Sequence, residues 1–245
     1  NPETNAPKWS LMTSPNSKRL GLDYALEVAS SKNGRRFHRF VWLFLTHLFG
    51  RFYCKVVGID REYLDTPGPV IVAPVHRSNL DAPLLVTLTR RRLNFLGKES
   101  LFSPKPVAWF ISALGGIPIS RGVGDREALK AAQTLLEKEE SIVVFPEGTR
   151  QTGTKVGEVY DGAAFLAART GAKVIPVGIA GTEYSLPSGA KFPKRARVCY
   201  VVGEPMELSN PEGGRISAPQ RKDFSEELAI RLQDVFDEAL ARNNS

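Results

Sequence analysis

"PVIVAPVHRSNLDAP", residues 69–83, joins an apolar run to a polar bend and then to a segment that reads as helix. The run is short and rich in β-branched residues, which predicts a buried strand over 69–75. Pro83 marks the start of the helix, because proline is tolerated only in a helix's first turn. "DAPLLVTLTR" (81–90) is therefore predicted helical, and residues 76–79 form the bend. A strand that feeds a helix through such a bend is the repeating unit of an α/β fold. In parallel sheets of this kind, ligands bind outside the carboxyl ends of the strands.

The alternation continues downstream. Short strands are predicted over 93–97, 116–119, 141–145, 173–181 and 197–203, with helices over 106–114, 125–140, 162–171 and 223–240. The expected fold is α/β: a single domain from residue 66 to 245, its central sheet largely parallel or mixed and flanked by helices. An amphipathic helical segment, 21–65, precedes it. Residues 1–20, rich in Asn, Pro, Ser and Thr, read as a flexible leader. The first 35 residues lack an apolar core of the kind a secretory signal needs.

Within the N-terminal segment, "RRFHRFVWLFLTHLFGRFYCKV" (35–56) is predicted to be one helix. Phe37, Phe40, Val41, Phe44, Leu48 and Phe52 would share a face that Trp42, Leu45 and Phe49 widen. Its longest apolar run is six residues, "FVWLFL", far short of the ~20 that span a bilayer. An aromatic helix flanked by arginines suits the membrane interface, or alternatively a buried core position. Residues 1–60 carry 9 Lys+Arg against 4 Asp+Glu, and the whole chain has a formal charge of +7. That favours anionic partners, here an anionic membrane surface. No nucleic acid is expected as partner, because no recognition module or basic stripe interleaved with stacking aromatics accompanies the charge.

The bend holds His76 and Asp81. On a continuous helix, positions i and i+5 lie ~140° apart, so the two meet only across a turn. There the carboxylate would fix the imidazole's tautomer and leave the other ring nitrogen as a general base, a role worth ~10²–10⁴ in rate. The same spacing also fits Asp81 as a helix cap with no chemistry. No GxSxG, P-loop or GxGxxG is present, and Ser78 reads as a turn residue rather than a nucleophile. The two cysteines, Cys54 and Cys199, form neither a disulfide framework nor a zinc site, so a reducing compartment and no metal are expected.

A second strand ends in charge at "VVFPEGTR" (143–150), and "GGIPISRG" (115–122) and "VIPVGIAG" (174–181) complete the set. In order, "HRSNLD", "GGIPISR", "FPEGTR" and "VIPVGI" resemble the four motifs of the glycerolipid acyltransferases, the lysophosphatidic acid acyltransferases and their relatives. The resemblance spans residues 66 to about 205 and makes 66–245 an acyltransferase catalytic domain. It implies transfer of a fatty acyl group from a thioester (acyl-CoA or acyl-carrier protein) to a glycerol hydroxyl. Lysophosphatidic acid would give phosphatidic acid; glycerol 3-phosphate, another lysophospholipid or a glycolipid are the other acceptors. A non-catalytic lipid-binding protein on the same fold is the remaining alternative.

By the same resemblance His76 is the base and Asp81 its orienting acid. Arg121 and Arg150 would bind the acceptor phosphate. Glu147 would bond the glycerol backbone or hold Arg150, and Lys98 would add a second phosphate contact. Gly148 would let backbone approach the substrate, its neighbouring N–H groups, Thr149 included, facing the oxyanion. No cofactor is implied beyond the thioester co-substrate, and a phosphorylated glycerolipid is the implied partner. The expected location is the cytoplasmic face of a membrane, held peripherally. Two positions depart from the family pattern: Val75 stands where Asn often precedes the histidine, and Asp161 stands before Gly162 where a basic residue is common.

Overall fold

The computed structural model describes residues 22–119, 125–187, 189–209 and 215–244. Seven strands form one sheet in the order β1-β7-β6-β2-β5-β3-β4. They are β1 (Val56–Ile59), β2 (Val70–Pro74), β3 (Leu93–Lys98), β4 (Gly116–Ile119), β5 (Ser141–Val143), β6 (Lys173–Ala180) and β7 (Val198–Val202). β2, β3, β4, β5 and β6 run parallel; β7 is antiparallel to β6, and β1 pairs parallel to β7. The sheet is thus mixed at one end only, within the expectation of a largely parallel or mixed sheet.

β2 is buried at every position and sits at the centre, between β6 and β5. Its unbroken apolar run suits a strand covered on both faces. The helices are α1 (Leu22–Ser30), α2 (Lys32–Leu43), α3 (Asp81–Leu85), α4 (Lys105–Ala113), α5 (Asp125–Glu137), α6 (Gly162–Thr170), α7 (Thr182–Ser185) and α8 (Ala218–Asn244). Among these, α8 lies along β6 and β7, with Phe224, Leu228, Leu232 and Phe236 buried against them. The approach is close at Gly178: a methyl group there would overlap the backbone carbonyl of Val235. Glycine in the "VIPVGI" motif therefore admits the backbone of α8.

Three expectations change. The predicted helix 81–90 shortens to α3 followed by a tighter turn over Val86–Leu88. The boundary expected at 65/66 leaves β1, an edge strand of the same sheet, on its N-terminal side. And the predicted helix 35–56 is α2 continued by a wider, π-helical stretch, Phe44–Tyr53, and the expected aromatic face divides within α2 itself. Phe37 turns inward onto the rings of Trp109 and Phe110, while Phe40, Phe44 and Phe52 are exposed. Trp42 is tied down by donating its indole N–H to the carbonyls of Val86 and Thr89. Among the described residues, no helix is long and apolar enough to cross a membrane.

Candidate active site

The carboxyl ends of three neighbouring strands, β6, β2 and β5, build the site. The chain leaves β2 at Pro74, and Val75 still bonds into the sheet through its N–H to the Val177 carbonyl, 3.0 Å. Val75 is fully buried, so the side chain at this departure from the family pattern packs in the core.

The bend then turns back on itself around Asp81. Its Oδ2 accepts the backbone N–H groups of Arg77 (2.6 Å) and Ser78 (2.8 Å), and also meets Nδ1 of His76 at 2.8 Å. Its Oδ1 accepts the Thr182 hydroxyl at 2.6 Å. The side chain of Asp81 has no exposure, whereas that of His76 keeps 20%. With three donors fixing the carboxylate and Nδ1 facing it, the ring's Nδ1 carries the proton and Nε2 is left as the basic nitrogen. Phe145, just past β5, stacks on the imidazole with centroids 4.0 Å apart, which holds the ring's plane. Tyr200 on β7 donates its hydroxyl to the Asp81 carbonyl at 3.0 Å, and burial pushes that phenol well above its ordinary range.

A second buried carboxylate braces the bend from the β5 side. Glu147 is 1% exposed. Its Oε2 accepts the His76 backbone N–H (2.8 Å), its Oε1 accepts the Gly157 N–H (2.8 Å), and both oxygens accept Nη1 of Arg77 at 3.1 Å. Arg77 is buried too: it donates to the carbonyls of His76 and Lys155, and its guanidinium lies 4.5 Å from the ring centroid of Phe236 on α8. Gln233, also on α8, clasps the neighbouring strap by accepting the Val156 N–H and donating to the Thr154 carbonyl. Buried charges persist only when paired and hydrogen-bonded, and here one pair locks the bend, the "FPEGTR" turn and the strap together.

These contacts revise the expected roles. The Glu147 carboxylate faces inward and holds Arg77, not Arg150. The backbone N–H groups expected to face an oxyanion near Gly148 are turned inward at two positions: those of Gly148 and Thr149 bond to the carbonyls of Phe145 and Glu147 inside the turn. Gly148 does occupy the left-handed region, φ +65°, with Tyr160 against it. Arg150 is exposed, with no ion-pair partner among the described residues. Arg121 lies outside the described residues, as does the side chain of Lys98, whose backbone ends β3. Asp161 precedes α6 and pairs with Arg221 of α8 at 3.1 Å, so its charge is answered within the fold. Arg77 stood inside the quoted motif without a role, and Thr182 follows "VIPVGIAG" directly. A buried arginine beside a lone glutamate is not visible in a linear pattern.

An apolar cavity of about 360 Å³ lies between α3 and α2. Ala82 and Pro83, which follow Asp81 directly, line it together with Val41, Trp42, Phe95 and Ile111. His38 borders it as well, and burial, with Arg92 nearby, pushes its imidazole below the ordinary histidine range. Among the described residues, no group of three or more His, Cys, Asp or Glu side chains is placed to hold a metal ion.

The acyltransferase family model matches residues 55–180, a stretch that includes every central strand and both bends. The chain is 28% identical over 185 residues to a chloroplastic 1-acyl-sn-glycerol-3-phosphate acyltransferase of Arabidopsis thaliana, covering 73% of this chain and 51% of that protein. It is 37% identical over 154 residues to a Chlamydomonas reinhardtii protein named for the same activity, covering 61% and 46%. A Bacillus subtilis protein of that name matches at 25% over 181 residues, covering 72% and 85%. Thus the chain spans about half the length of the plant and algal relatives and most of the bacterial one. The solved structure of the 1-acyl-sn-glycerophosphate acyltransferase PlsC from Thermotoga maritima superposes with TM-score 0.63 at 28% identity, over 88% of this chain and 80% of that one.

Proposed function

The chain belongs to the acyltransferase family, and from that premise we propose that it acylates the free hydroxyl of lysophosphatidic acid to give phosphatidic acid, with an acyl thioester as donor. The observation that carries the reading is the His76–Asp81 contact at 2.8 Å on a partly exposed imidazole. Nε2 takes the proton of the acceptor hydroxyl as its oxygen attacks the thioester carbonyl. Asp81 stabilises the imidazolium that forms, and the proton then goes to the departing thiolate as the tetrahedral intermediate collapses. No acyl-enzyme is required, because the thioester is already activated. The apolar cavity lined by Ala82 and Pro83 of α3 suits a fatty chain, and Arg150 offers an exposed guanidinium to the acceptor phosphate, with Arg121 assigned the same task by its motif. Exposed Arg36 and Arg39 beside Phe40 and Phe44 suit a peripheral seat on an anionic leaflet.

The direct test offers palmitoyl and oleoyl groups, as coenzyme A and carrier-protein thioesters, to glycerol 3-phosphate and to both lysophosphatidic acid isomers, with products identified by mass. Phosphatidic acid is the expected product; acylation of glycerol 3-phosphate alone, or no transfer, refutes the acceptor assignment. In the same assay, Arg150→Ala should raise the acceptor KM by ~10–100-fold, the loss of one charge-assisted hydrogen bond. The kcat should change little. An unchanged acceptor saturation curve removes Arg150 from the phosphate site.

A further inference from the structure

Residues 189–197, "GAKFPKRAR", form an exposed excursion between α7 and β7. Phe192 is 81% exposed there, more than any other large apolar side chain described. A phenyl ring left so open costs free energy in water, of order 25 cal/mol for each Å² that burial would remove, and a lone one would be unremarkable. This one is surrounded. Lys191, Lys194, Arg195 and Arg197 are all exposed, none has an ion-pair partner among the described residues, and no Asp or Glu occurs from 184 to 203. Phe52, Tyr53 and Tyr184 are exposed as well.

The excursion is held firmly at its base. Tyr53 donates its hydroxyl to the Pro193 carbonyl at 2.6 Å, joining the excursion to the end of the π-helical stretch. Ser185 and Lys194 exchange two bonds, Ser185 Oγ to the Lys194 carbonyl (2.8 Å) and the Lys194 N–H to the Ser185 carbonyl (2.6 Å). The Ser78 hydroxyl, from the catalytic bend itself, donates to the Leu186 carbonyl at 3.0 Å.

We propose that this excursion is a second membrane-docking element, which inserts Phe192 into the interface of an anionic bilayer while its lysines and arginines meet the phosphate groups. An aromatic tip ringed by unpaired cations fits a surface that is negative outside and apolar a few ångströms down. An acidic protein partner would answer the charge but not the bare phenyl ring. The tie from Ser78 to Leu186, beside the Ser185 that clasps Lys194, places the base of the loop one hydrogen bond from the bend that carries His76, so an acceptor lipid reaches the base without leaving the interface. That last step rests on the proposed function; the insertion itself does not.

Insertion can be read without turnover. Cys54 and Cys199 are buried, so a Phe192→Cys variant of the full chain takes an environment-sensitive NBD label at residue 192. Vesicles of phosphatidylglycerol should raise and blue-shift its emission several-fold, and phosphatidylcholine vesicles should not. A K191Q/K194Q/R195Q variant should bind the anionic vesicles ~100-fold more weakly, about fivefold for each charge. Unchanged emission from protein that co-sediments with anionic vesicles overturns the proposal, as does a vesicle affinity within twofold of wild type in the triple variant. Emission that answers to an acyl-carrier protein and not to vesicles overturns it in favour of a protein-docking loop.

Discussion

His76→Ala is expected to lower acyl transfer by ~10²–10⁴-fold, the range a general base supplies, with little change in fold. The structure explains why the two effects separate. What binds His76 to Glu147 is its backbone N–H, not its ring, and Asp81 keeps the Arg77 and Ser78 amides and the Thr182 hydroxyl when the imidazole is gone. The thermal midpoint and thioester binding should therefore stay close to wild type while initial rates collapse. Near-normal turnover in a well-folded variant would remove the base assignment. Thr182→Val tests the positioning of Asp81: with one anchor lost, kcat should fall more than KM rises.

The largest stability effect is expected at Glu147. Glu147→Ala leaves the Arg77 guanidinium buried without its counter-charge and strips the His76 and Gly157 amides of their acceptor. Removing one partner of a buried ion pair costs ~3–5 kcal/mol, which for a domain of this size lowers the melting midpoint by ~6–20 °C. That is a large share of a typical ~5–15 kcal/mol of total stability. A double replacement, Arg77→Met with Glu147→Leu, should cost less than the sum of the two singles, because no orphan charge remains. Thermal unfolding decides it, and a drop under about 2 °C for the single variant would show that the pair does not brace the site.

The central strands were legible because their chemistry is local. "PVIVAP" and "VIPVGIA" carry no charged residue, and β2 and β6 are buried almost throughout. β1 was not legible, since Val56–Ile59 is half-buried at an edge and broken by Gly58, a pattern shared with loops. His76 and Asp81 could be paired in advance, because proline and strand end together force a turn between them. Glu147 could not be assigned its partner. "FPEGTR" displays Glu147 and Arg150 side by side, and only the adjacency of β2 and β5 shows that the arginine answering the glutamate belongs to the other bend. The aromatic helix misled for a different reason: its period groups Phe37 with Phe40, but tertiary packing separates them within α2, since Phe37 meets the rings of Trp109 and Phe110 on α4 while Phe40 stays exposed.

One consequence lies in the order of synthesis. Arg77 rests on Phe236, and the strap that supplies Gly157 to Glu147 is clasped by Gln233. A nascent chain still holding α8 inside the ribosome has its histidine, its aspartate and most of its sheet outside, yet lacks the surface that seats the arginine. Such a chain would wait, unsealed and inactive, until α8 emerged, so competence would arrive in one step with that helix rather than growing with the sheet.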